Sequence, residues 1–165
     1  MRQASEENMV RGVFRLTGLL LAVVLVVACG GKGPQSVQFP KLGLSAALPP
    51  GWTADAEEDA TEYLPVRVEI NCQGRRTIIL SRYQIKADNF TAMEQALAAE
   101  RGVTIRDKEK TDNGFGFTFE KKGKKLFLYF LTFGDATYQC ETNDFYYDAK
   151  DVPAAIEVIK SIRKI

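Results

Sequence analysis

Residues 114–133 read GFGFTFEKKGKKLFLYFLTF, and this stretch decides the fold. Phe115, Phe117 and Phe119 alternate with Gly116 and Thr118, so the three rings share one face of a strand. Lys121-Lys122-Gly123-Lys124-Lys125 breaks the apolar pattern and predicts a turn. Leu126–Phe133 is then almost wholly apolar. Such a run predicts the central strand of its sheet, covered on both faces.

The neighbouring segments extend the same pattern. Asp112-Asn113-Gly114 predicts a tight turn, and Val103–Lys110 a more polar strand near an edge. On the other side, Gly134-Asp135 turns the chain into a strand over Thr137–Thr142. The result is four consecutive antiparallel strands. Before them, Thr91-Ala92-Met93-Glu94 has the form of a capping box, with Phe90 as its staple. That helix runs to about Arg101, buries Met93, Ala96 and Leu97, and stops at Gly102.

Val66–Cys72 and Thr77–Ile85 predict two strands around Gln73-Gly74. Leu42, Leu44, Ala46 and Leu48 line one face of a further strand, ended by Pro49-Pro50-Gly51. Asp55, Glu57, Glu58, Asp59 and Glu62 read as a solvated loop rather than a cation site. A closing helix starts at Asp151 as N-cap, with Pro153 in its first turn. Ala155, Ile156, Ile159 and Ile162 form its buried stripe. The fold class is therefore α+β: one antiparallel β-sheet packed by helices, in a single domain over residues 39–165.

The N-terminus carries a different message. Leu25-Val26-Val27-Ala28-Cys29-Gly30 closes an apolar run that begins at Leu16. Leu16–Ala28 is too short to span a bilayer, which takes about 20 residues, and suits a signal-peptide core. Arg11 and Arg15 supply the positive flank, and Met9 makes a cleaner start than Met1. A small residue before Cys29 gives the form of a lipobox. Residues 1–28 are then a removed lipoprotein signal peptide, and Cys29 carries the lipid. The rival readings are an ordinary secretory signal and a short anchor helix. Gly30-Gly31-Lys32-Gly33-Pro34-Gln35-Ser36-Val37-Gln38 is small and polar, so 29–38 reads as lipidated Cys and flexible tether. Gly30 in place of Asp after Cys29 favours the outer membrane.

Removing residues 1–28 takes away Arg2, Arg11, Arg15, Glu6 and Glu7 and leaves acidic and basic side chains in balance. A balanced chain has no general attraction to nucleic acid. The chain has no histidine, which excludes Ser-His-Asp and Cys-His catalysis and the commonest metal ligand. It has no Cys-x-x-Cys motif and no Gly-rich phosphate loop. We expect no catalytic residue, no cofactor and no metal. Cys72 and Cys140 are an even pair in an oxidising compartment, and both lie on core-facing parity. They are expected to form a disulfide; the alternative is two buried free thiols.

Three features are candidates for binding. Lys121–Lys125 suits anionic headgroups or an acidic partner, or is simply a soluble hairpin tip. Glu141, Asp144, Asp148 and Asp151 are acidic but lack EF-hand spacing. Phe145, Tyr146 and Tyr147 lie between the last strand and the last helix, as a partner-binding cluster or as cover for the sheet edge.

Leu42-Gly43-Leu44-Ser45 leading into Leu48-Pro49-Pro50-Gly51-Trp52, the Asn113-Gly114 turn, the apolar central strand and Ile159-Lys160-Ser161-Ile162 carry a resemblance. Over residues 39–165 the chain resembles the PsbP-like superfamily, and within it bacterial lipoproteins of the DcrB type. The resemblance implies an α/β/α sandwich. It also implies the company of binding and assembly factors: photosystem accessory subunits, a Ran-binding nuclear import factor, secretion-effector chaperones and envelope lipoproteins. It implies no catalytic residue. The expected function is a membrane-anchored envelope lipoprotein that binds or assembles a protein partner. The alternative is a carrier of a small apolar ligand between sheet and helix, with Phe115, Phe117, Phe119 and Met93 lining its space.

Overall fold

The computed structural model describes residues 33–62, 64–83, 89–145 and 147–165. Cys29, the signal segment 1–28 and Tyr146 lie outside the described residues. The strands are β1 (Gln35–Phe39), β2 (Leu44–Leu48), β3 (Trp52–Ala54), β4 (Arg67–Cys72), β5 (Arg75–Tyr83), β6 (Val103–Thr111), β7 (Gly114–Lys121), β8 (Lys124–Phe133), β9 (Ala136–Thr142) and β10 (Arg163–Lys164). The helices are α1 (Phe90–Ala99) and α2 (Val152–Lys160), the latter entered through a 3₁₀ turn at Ala149–Asp151.

The meander forms as read. β6, β7, β8 and β9 are consecutive antiparallel neighbours, with Phe115↔Phe130, Phe117↔Leu128 and Phe119↔Leu126 in register. β5 pairs with β9, which carries the sheet on through β4 to β3. The order is β3-β4-β5-β9-β8-β7-β6, seven strands with β6 at one edge. β8 is interior and buried on both faces, as its apolar run demands; the middle place belongs to β9.

The two faces have different cover. Phe127, Tyr129 and Leu131 join β4, β5, α2 and β2 in one core. Leu126, Phe130, Phe115, Phe117 and Phe119 pack under Leu97 of α1 in the other. The Gln73-Gly74 and Lys122-Gly123 turns both take positive φ at both residues. That is the twist-matched two-residue hairpin geometry.

Several expectations need correction. The strands form two sheets rather than one, because β2 pairs with β1 and β10 in a separate three-stranded sheet. Residues 35–38 are not tether: Gln35↔Leu48 through Phe39↔Leu44 pair them to β2. Gln-Ser-Val-Gln has no apolar alternation, so its strand exists only because β2 offers an edge. Residues 29–32 of the expected tether lie outside the described residues. The helix cap also sits earlier than the capping box. Asn89 accepts from the Ala92 N–H at 3.0 Å, Phe90 is already helical, and Glu94 reaches Lys108 instead of the cap. Ala96 is exposed.

Cys72 and Cys140 do not pair; both are buried free thiols. Cys72 lies opposite Arg75 at the end of the β4–β5 hairpin, whereas Cys140 lies opposite Leu80, and Leu80 opposite Val68. Four residues of β4 separate the two levels, about 13 Å at strand rise. A disulfide needs Cα atoms within about 7 Å. Parity put both thiols on the same face correctly, but parity does not fix the level along the strand.

On the α2 side, β7 presents Gly116, and the Tyr129 ring lies directly over it. The Tyr129 hydroxyl donates to Glu109 of β6, whose other carboxylate oxygen meets Lys160 of α2 at 3.0 Å. The Tyr138 hydroxyl donates to the Leu42 carbonyl at 2.7 Å and ties the small sheet to the large one.

Candidate functional site

Alternation along the meander builds a cross-strand row on the α1 face. Phe117 stands opposite Leu128, Leu128 opposite Glu141, Glu141 opposite Ile79, and Ile79 opposite Glu69. α1 covers the Phe117 end of this row and stops at Ala99. Beyond it a groove of about 540 Å³ remains, with Ile79, Leu126, Leu128 and Phe119 in its floor. Glu100, Lys121, Lys122 and Lys124 form one wall, and Asn143, Asp144 and Phe145 the other.

The groove floor holds a carboxylate among apolar side chains. Burial raises the Glu141 pKa above the usual carboxylate range, against the hydrogen bond it accepts from Gln139 Nε2 at 2.9 Å. A folded-state pKa raised this way means the folded chain binds more protons than the unfolded chain. Stability therefore falls as pH rises from the ordinary carboxylate value through the higher folded one. Glu141→Gln is expected to melt higher than the parent at pH 7, with the advantage vanishing near pH 4. Thermal melts at the two pH values check this, and an equal gap at both would refute it.

The walls are tied together. Lys121 pairs with Glu100 at the end of α1. The Lys124 ammonium donates to the Asp144 carbonyl at 2.6 Å, across the groove end. So the basic turn and the aromatic segment, 20 positions apart, form one unit.

The aromatic cluster divides. Phe145 is 85% exposed on the rim. Tyr147 is half-buried and packs against both cores, so it serves as cover, at the end of interior strand β8 rather than at a sheet edge. The acidic set does not gather. Asp151 binds Arg75 through both Nε (3.1 Å) and a terminal nitrogen (2.7 Å), and Asp148 caps the 3₁₀ turn through the Lys150 N–H. Among the described residues, no three His, Cys, Asp or Glu side chains are arranged to hold a metal ion. The helix-to-sheet space is filled by rings: Phe90 lies 5.3 Å from Phe115 and 5.2 Å from Phe117, and Phe115 lies 5.5 Å from Phe130.

Sequence reasoning missed the groove and the place of Glu141 in it. The signal was present as a lone charged residue at an inward parity position of an interior strand. What it lacked was the knowledge that α1 ends short of β9.

No family model matches the chain, and no curated protein does. Among solved structures it is similar to cyanobacterial PsbP (CyanoP) from Synechocystis sp. PCC 6803, with a TM-score of 0.50. The two share 12% sequence identity, over 84% of this chain and 96% of that one. The chain has a PsbP-like fold, mixed α+β and mostly sheet.

Proposed function

We propose that this PsbP-like domain is a lipid-anchored, non-catalytic binding or assembly factor of the bacterial envelope, a lipoprotein of the DcrB type. The lipobox ending at Cys29 supports anchoring on the periplasmic side, and Gly30 supports the outer membrane. The observation that carries the protein-contact reading is the open groove. Its apolar floor contains one desolvated carboxylate, Glu141, and an exposed ring, Phe145, stands on its rim. Apolar anchors around a few placed polar groups are the anatomy of a protein interface. The carrier reading has less support, because Phe115 and Phe117, two of the rings that would line its cavity, pack against Phe90 and Phe130 instead. The partner is an envelope protein, and nucleic acid is not expected.

Photo-crosslinking residues placed at positions 100 and 141, with position 157 on α2 as control, test the proposal in intact cells. One envelope protein captured from both groove positions, and not from position 157, is expected. Equal capture from all three positions, or from none, would reject it.

A further inference from the structure

The chain enters the domain at the same end that carries the basic turn. Gln35 begins β1, and its Nε2 donates to the Trp52 carbonyl at 3.0 Å. Trp52 is opposite Cys72, beside the Gln73-Gly74 turn. Across the sheet, Thr142 is opposite Ile78, and the Asn143 N–H donates to the Thr77 carbonyl at 3.2 Å. Phe145 follows on the same end, and Lys124 reaches back to Asp144 there. From β3 to β7 this end spans five strand spacings, about 24 Å.

Five residues, 30–34, separate Cys29 from Gln35, which at full extension reach roughly 20 Å. A lipid on Cys29 would therefore keep the entry to β1 within that distance of a bilayer surface. The far end lies a whole strand away, about 30 Å for the ten residues of β8. Charge divides the same way along the meander. The near turn is flanked by Lys121, Lys122, Lys124 and Lys125, whereas the far turns carry Asp112 and Asp135. The carboxylates at this end are Glu100, Glu120 and Asp151, paired with Lys121, Arg106 and Arg75, then Asp148, paired with Lys150, and Asp144.

We infer that this end is a membrane-facing surface, where Phe145 enters the headgroup boundary of an anionic bilayer and Lys122, Lys124 and Lys125 meet its phosphates. The inference rests on the reading of Cys29 as lipidated. Basic side chains around an exposed ring are the two components of interfacial binding, one electrostatic and one apolar. The groove then opens at the level of the headgroups, and its partner meets it there.

The test uses the lipidated protein purified from membranes and reconstituted in vesicles of phosphatidylcholine, with or without phosphatidylglycerol. Phe145→Trp supplies the probe; the chain's single native tryptophan, Trp52, is buried and serves as background. With phosphatidylglycerol present, emission from the introduced indole should shift to the blue and be quenched several-fold by lipids brominated along their acyl chains. High salt, omission of phosphatidylglycerol, or Lys122→Gln with Lys125→Gln should each remove most of that quenching. Failure to co-float with vesicles means that the anchor is absent, and the inference falls with it. Co-flotation with an unquenched, water-exposed indole at position 145 overturns the inference alone. Shielding of that indole that occurs only with a captured acidic protein overturns it in favour of that partner.

Discussion

Gly116→Ala is expected to destabilise the domain by about 3 kcal/mol, the upper part of the range for overpacking a close-packed site. For a domain of this size that lowers the melting temperature by roughly 10 °C. The sign is informative, because alanine in a strand is ordinarily better than glycine by about 0.5–1 kcal/mol. Here the added methyl would overlap the Tyr129 ring, which is 1% exposed. The ring cannot move outward without losing its hydrogen bond to Glu109 of edge strand β6, the carboxylate that also pairs with Lys160 on α2. A double-mutant cycle isolates the cause. In a Tyr129→Ala background the same substitution should be close to neutral or slightly favourable. Equal destabilisation in both backgrounds would mean that the ring is not what forbids a side chain at position 116. Urea unfolding of the four proteins decides it.

Cys29→Ser is expected to abolish lipid attachment altogether. Each buried methylene contributes about 0.8 kcal/mol, so one acyl chain binds marginally and two or three hold a protein to the bilayer for its lifetime. The parent should take up labelled palmitate and enter the detergent-rich phase on cloud-point separation. The variant should take up none. Once its leader is cut, it should enter the aqueous phase. Because β1 begins only at Gln35, the substitution lies outside the described strands, and the folded signal by circular dichroism should not change. A processed Cys29→Ser protein that still carries label, or still enters the detergent phase, would end the lipoprotein reading.

Much of the architecture was legible before any tertiary information. Phe115, Phe117 and Phe119 announce one buried face by alternation, and Leu126–Phe133 announces two by having none. The Gln73-Gly74, Lys122-Gly123 and Gly134-Asp135 turns and the α2 stripe at Ala155 and Ile159 are local signals with local causes, whereas Asp151 stands at the start of α2 without a side-chain cap bond, its carboxylate held by the distant Arg75. The site was legible in pieces. The basic turn and Phe145 each drew notice, but their union through Lys124 and Asp144 depends on β8 and β9 being neighbours. Asn89 took the cap from Thr91 because both offer a side-chain oxygen, and the packing of Phe90 on Phe115 and Phe117 chose between them.

By itself the sequence determined the features that depend on periods and short spacings: strand faces, hairpin turns, the helix stripes and the lipobox pattern at Cys29. Only the tertiary structure decided the features that depend on which edges meet. It withdrew β1 and β2 into a second sheet, kept Cys72 and Cys140 apart on one face, laid Tyr129 over Gly116, and left Glu141 in the floor of an open groove. The reason is physical. A side chain's face follows from backbone geometry within a few residues, whereas its level and its neighbours follow from long-range register, which the whole core selects at once.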